Sequence, residues 1–146
     1  MKIRKLKVFN LNLAYVKSIL IVDDSALIRC CLRRLLEAQP GWIICGEAEN
    51  GCDGIEKAAK LRPDLIVIDL AMLVLNGIVA TSVLKRLMPA VSIVMFTSFS
   101  DPSIKKTAMA SGLDAFVDKS ESPEILLSCI EQLLVPKPFR RSDSAA

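Results

Sequence analysis

Five short apolar runs, each followed by a stretch with helical spacing and three of them ending against an aspartate, limit what this chain can fold into more than any other feature. Residues 19–22 are continuously apolar and run into Asp23 and Asp24, as expected for a parallel strand covered on both faces. Leu27, Ile28, Cys31, Leu32, Leu35 and Leu36 then recur every three or four residues, with Arg29, Arg33 and Arg34 between them, and Pro40-Gly41 ends that helix. The same alternation predicts a strand at 42–47, a helix at 53–61 stopped before Pro63, and a strand at 65–69. After a turn at Asn76-Gly77 it predicts a helix at 79–87, broken by Pro89, and a strand at 91–96. Asp101-Pro102 supplies a cap and a first helical residue, and Gly112 a stop. A short strand at 115–117 and a helix at 123–134, with Ile125, Leu126, Cys129, Ile130 and Leu133 on one stripe, complete the pattern. Strand then helix, repeated five times, is the mark of an α/β protein with a parallel sheet between two helical layers.

The 146 residues fit the ~100–200 expected of one domain, which we place at 17–135, with a basic tail at 1–16 and a flexible tail at 136–146. With 52% hydrophobic and 24% charged residues, the chain is neither disordered nor of low complexity. The net charge of +3 comes from the ends: residues 1–17 hold five bases and no acid, whereas 18–136 hold eleven bases and fifteen acids. An acidic middle argues against a nucleic-acid-binding core. The longest uncharged run, 70–84, includes Asn76, Gly77, Thr81 and Ser82 and is shorter than the ~20 apolar residues of a membrane span. The start of the chain has the outline of a signal peptide, but Asn10 and Asn12 interrupt it and no small-x-small site precedes Lys17, so an uncleaved tail or a misassigned start is expected. The five cysteines show no C-x-x-C spacing and are expected to be reduced, mostly buried thiols in a cytoplasmic protein. The chain has no histidine, so histidine-based hydrolysis, acid–base work and zinc ligation are excluded.

In open α/β sheets, ligands bind beyond the carboxyl ends of the strands. That rule gathers Asp23 and Asp24, Asp69, Thr97 and Ser98, and Asp118 and Lys119 at one edge. Three adjacent carboxylates repel by about 1 kcal/mol per close pair even in water, so a compensating cation is needed. Mg²⁺ suits an all-oxygen site, with Lys119 as the remaining positive charge. A carboxylate can also attack phosphorus, and Asp69, alone at its strand end, is the best candidate nucleophile. Simpler readings exist for each residue: Asp24 or Ser25 as a cap, Phe116 as core, and Arg33-Arg34, Lys85-Arg86 and Lys105-Lys106 as solvated helix faces.

Taken together, I-L-I-V-D-D-S at 19–25, D-L-I-V-I-D-L-A-M at 64–72 with N-G at 76–77, S-I-V-M-F-T-S at 92–98 and G-L-D-A-F-V-D-K at 112–119 resemble the receiver domain of two-component response regulators, of the single-domain chemotaxis-regulator kind. The resemblance covers roughly 17–135 and implies a doubly wound, flavodoxin-like sheet in the order 2-1-3-4-5. It implies that Asp69 accepts a phosphoryl group from a sensor histidine kinase or phosphotransfer protein. Asp23, Asp24, Asp69 and the backbone carbonyl of Ala71 would hold Mg²⁺. Thr97 would hydrogen-bond the phosphoryl group, Lys119 would pair with it, and Phe116 would be the switch aromatic. A downstream protein would be met through residues 101–134, about helix four to helix five. Such a domain is no enzyme, although it assists its own Mg²⁺-dependent phosphorylation.

Two positions depart from the family pattern: Leu73 and Ser120 stand where prolines are usual, and Ser120 bears on whether the bond after Lys119 is cis. Ala71 and Phe99, each two positions beyond a key residue, predict slow loss of the phosphoryl group, because Ala71 cannot orient a water and Phe99 would screen the site. With no helix-turn-helix after residue 135, output is expected through protein contacts. The alternative is a pseudo-receiver, a constitutive interaction module without phosphorylation. An aspartate-nucleophile phosphatase is disfavoured by Ser25 and Ala71 two residues past Asp23 and Asp69, and a flavin-binding variant by the two acids closing strand one.

Overall fold

The structure, a computed structural model, describes residues 16–136. Most of both expected tails lies outside the described residues. The elements alternate without exception: β1 (Lys17–Val22), α1 (Ala26–Glu37), β2 (Trp42–Ala48), α2 (Gly51–Leu61), β3 (Leu65–Ile68), α3 (Gly77–Leu87), β4 (Ser92–Thr97), α4 (Pro102–Ala110), β5 (Ala115–Asp118) and α5 (Pro123–Leu134). All pairings are parallel, in the order β2-β1-β3-β4-β5, as the resemblance implied.

The central strands carry unbroken apolar runs, at 19–22, 65–68 and 93–96, because both of their faces are covered there. Leu20, Val22, Ile66, Ile68, Ile93 and Met95 point to one side, where Ala58 of α2, Ala80 and Leu84 of α3 and Ala108 of α4 meet them. Ile19, Ile21, Leu65, Val67, Val94 and Val117 point to the other, against Leu32 and Leu36 of α1 and Leu126 and Ile130 of α5. Each large side chain so buried contributes about 1.5–3 kcal/mol, which offsets the ordering cost of the strands that place the site. The edge strand β2 is mostly half-buried, and its pairing with β1 slips by one residue between Ile19 and Leu20.

Capping fixes where helices begin. Ser25 Oγ accepts from Ile28 N at 3.3 Å, so Ser25 rather than Asp24 caps α1. Asn50 and Asn76 accept from Asp53 N and Val79 N at 2.9 and 3.0 Å, which starts α2 and α3 two residues earlier than the apolar periodicity predicts. Asp101 caps α4 as expected, with Pro102 in its first turn. Past α4, Gly112 takes φ +105°, a conformation that side-chain-bearing residues rarely adopt.

Two expectations about surfaces are overturned. Cys30, Cys31 and Cys52 are exposed and Cys45 and Cys129 only half-buried, because Cys31 sits at the edge of the α1 stripe and not on its buried centre. Nor are all the paired basic residues merely solvated. Lys85 bridges to Asp114 at 2.7 Å and donates to Val91 O at 2.5 Å, tying α3 to the start of β4, while Arg33 pairs with Glu37 and Glu47. Among the described residues, no helix is long and apolar enough to cross a membrane.

Candidate functional site

The carboxyl ends of β1, β3, β4 and β5 bring Asp23, Asp69, Thr97 and Lys119 to one edge of the sheet, since parallel strands in register end together. Asp23 N donates to Ala48 O and Asp69 N to Val22 O, so each acid's backbone is fixed by its neighbouring strand. Lys119 N donates to Thr97 O in the same way.

Side-chain oxygens of Asp23, Asp24 and Asp69 all lie within 4.8 Å of one another. Asp23 and Asp69 are buried, whereas Asp24 is exposed. Each buried carboxylate has one oxygen on backbone: Asp23 Oδ1 accepts from Ser25 N at 2.9 Å and Asp69 Oδ1 from Leu70 N at 2.8 Å. Their Oδ2 atoms share the Lys119 ammonium, 2.9 Å from Asp23 and 3.4 Å from Asp69. Burial pushes the Asp69 carboxyl above the usual range; Lys119 pulls it back, Asp23 raises it further, and Thr97 adds a smaller downward pull.

Three carboxylates against one ammonium leave an excess of negative charge in a largely buried pocket. A small divalent cation with oxygen ligands fits that donor set, since hard cations take carboxylates and water readily. The exposed position of Asp24 leaves one side open to solvent and to a ligand.

Thr97 ends β4, fully buried, with its Oγ1 accepting from Phe99 N at 3.3 Å. Phe116 is half-buried against the α2–α4 side of the core, and Lys105 Nζ lies 5.9 Å from its ring centroid. Phe99 is about half exposed beside Thr97, and Ser98 is also exposed. Ala71 is exposed, and its carbonyl accepts no hydrogen bond among the described residues. Asp118 does not join the acidic cluster. Its carboxyl, lowered to about 2 by the nearby Ser100 and Ser120, accepts from Ser120 N at 2.7 Å. No peptide bond among the described residues is cis, including the one after Lys119.

Two contributors were not legible in advance. A Cβ at Gly77 would collide with the Asp69 carbonyl oxygen, so only glycine lets α3 approach the acid's backbone this closely. Arg29 falls between the apolar positions of α1, with no role given to it by spacing, yet its Nη1 donates to Asp23 O at 2.6 Å and its Nε pairs with Glu47 at 3.2 Å. The signal available for the first was the Asn76-Gly77 pair opening a helix; the second depends on a neighbour in β2 that spacing along α1 does not reveal.

Known proteins share the sequence pattern and the fold of this chain. Response regulator protein VraR of Staphylococcus saprophyticus is 34% identical over 114 residues, 78% of this chain and 54% of that protein. Chemotaxis protein CheY of Halobacterium salinarum is 34% identical over 118 residues, 81% of this chain and 97% of that protein. The chain thus spans about half the length of the VraR relatives it matches. Among solved structures, the response regulator domain of Thermotoga maritima CheB superposes with a TM-score of 0.78 at 30% identity, covering 84% of this chain and 99% of that one. The family profile described as the response regulator receiver domain matches residues 19–131, and with these relatives it establishes that the chain belongs to that family.

Proposed function

We propose that this chain is a phosphorylation switch in which Asp69 accepts a phosphoryl group from the phosphohistidine of a sensor kinase or phosphotransfer protein in the cytoplasm. An Asp69 carboxylate oxygen forms the new P–O bond as the P–N bond to the donor imidazole breaks, and the leaving nitrogen keeps the bonding pair. Asp23, Asp24, Asp69 and the Ala71 carbonyl would hold Mg²⁺, which when bound neutralises charge on the transferred group. Asp23 and Lys119 orient the acceptor, and Lys119 then pairs with the added dianion. Thr97 exchanges its bond with Phe99 N for one donated to a phosphoryl oxygen, and Phe116 follows. That local change biases the surface formed by about residues 101–134 between two states, one of which binds a downstream protein. We place the functional unit at 17–135.

The observation that supports this reading best is the ammonium of Lys119 shared by two buried aspartates, with the third carboxylate within 4.8 Å. Capping or turn-making requires no such convergence from three separate strands. Intact-mass spectrometry after incubation with acetyl phosphate tests it. The expected result is one added phosphoryl group that needs both Mg²⁺ and Asp69; no added mass in wild type would favour a pseudo-receiver that binds partners constitutively.

A further inference from the structure

The backbone between the two leading acids is held by a side chain from outside the cluster. Arg29 lies one turn into α1, only 13% exposed at its side chain. Its guanidinium forks: Nη1 donates to the carbonyl of Asp23 at 2.6 Å, and Nε meets Glu47 Oε1 at 3.2 Å. Glu47 stands in β2 beside Ile21 of β1, so the fork ties the end of β1 to its neighbour strand. Glu47 Oε2 is taken separately by Arg33 at 2.9 Å. The carbonyl that Arg29 grips belongs to the peptide joining Asp23 to Asp24. Asp23 has further restraints, through Ser25 N and Lys119, whereas the exposed Asp24 carboxylate accepts no hydrogen bond among the described residues. The direction in which Asp24 leaves the strand therefore depends on the plane of that one peptide.

We propose that Arg29, braced by Glu47, is a positioning residue that presets the Asp23–Asp24 peptide so that both carboxylates face the cation; this rests on the Mg²⁺-binding receiver reading above. Two effects of the arginine oppose each other. As a positive charge near an acidic cluster it weakens cation binding; as a geometric clamp it strengthens it. Partners that orient metal ligands are typically worth 10–100-fold in affinity, while the positive charge of Arg29 is largely offset at the ion by the Glu47 carboxylate 3.2 Å from its Nε. The clamp should win.

The test is calorimetric titration of MgCl₂ into the full chain, beside urea unfolding of each variant without metal. Arg29→Met is expected to weaken Mg²⁺ binding about tenfold, and Arg29→Lys, which keeps the charge but cannot reach both oxygens, should not restore wild-type affinity. Arg33→Met, which removes the other arm on Glu47 and leaves the Asp23 carbonyl gripped, should bind Mg²⁺ as wild type does. In acetyl phosphate assays the Arg29→Met half-saturating Mg²⁺ should rise while the rate at saturating Mg²⁺ is retained. Unchanged or tighter binding by Arg29→Met, full rescue by lysine, or an equal loss in Arg33→Met would overturn the inference while the receiver reading stands. Wild type that binds no Mg²⁺ would overturn both.

Discussion

Replacing the phosphoacceptor should make the metal-free protein more stable. In Asp69→Asn the lost attraction is that to Lys119, 3.4 Å away, worth about 5 kcal/mol at an effective dielectric of 20. Against it stands repulsion from Asp23, no more than 4.8 Å distant and so at least about 3.5 kcal/mol on the same scale. The exposed Asp24 adds about 1 kcal/mol at a dielectric nearer that of water. These Coulomb contributions nearly cancel, which leaves the cost of keeping a carboxylate at 7% exposure as the deciding effect. That cost is several kcal/mol per ion, reduced here by the bond from Leu70 N, so a net gain of about 2 kcal/mol is expected for the asparagine.

The pH dependence carries a sign of its own. The native Asp69 carboxyl is raised, so the folded protein holds its proton more tightly than the unfolded chain does. By linkage, the stability this group contributes is present in acid and is lost as pH rises from the ordinary aspartate range through the raised native value. The advantage of Asp69→Asn should therefore be full at pH 7 and shrink in acid. Urea unfolding in EDTA at several pH values measures it, and added Mg²⁺ should stabilise wild type by about 2.7 kcal/mol at a hundredfold excess over its Kd, and the variant by less. An asparagine variant less stable than wild type at pH 7, or an advantage that grows toward acid, would show that burial of the Asp69 carboxylate is not the deciding cost.

Three further outcomes follow from the same geometry. Gly77→Ala, which drives a Cβ into the Asp69 carbonyl oxygen, should lower unfolding stability by about 1–3 kcal/mol and slow phosphorylation, read by urea titration and intact mass. Thr97→Ala should still take up one phosphoryl group, but the amide NMR shifts that phosphorylation produces across 101–134 should be attenuated; shifts equal to wild type would remove Thr97 from the switch. Phosphorylated wild type should lose its group slowly, since Ala71 has no polar side chain to orient water, and a half-life of seconds in purified protein would contradict this.

How much of this was readable in the sequence depends on which physical constraint governs each residue. The buried strands were legible because burial on both faces forces an unbroken apolar run, as at residues 65–68. The acids were legible because parallel strands end together, so Asp23 and Asp69 had to meet. Helix starts were misplaced at Gly51 and Gly77, where an asparagine cap acts before the apolar stripe begins. The exposure of Cys31 was misjudged because periodicity assigns a face but not how far its edge is covered, and that of Cys30 because burial was expected of thiols in general, although Cys30 lies off the apolar stripe. Lys85 and Arg33 looked like surface cations, since nothing local to a helix reveals Asp114 or Glu47 opposite it.

The chemical identity of the modified atom bears most directly on whether Asp69 is the phosphoacceptor. Borohydride reduces an aspartyl phosphate to homoserine, so reduction of protein treated with acetyl phosphate and Mg²⁺, followed by peptide mass mapping, reports which carboxylate carried the group. Homoserine is expected at position 69 alone; homoserine at 23 or 24, or none in folded protein with Mg²⁺ bound, would contradict Asp69 as the phosphoacceptor.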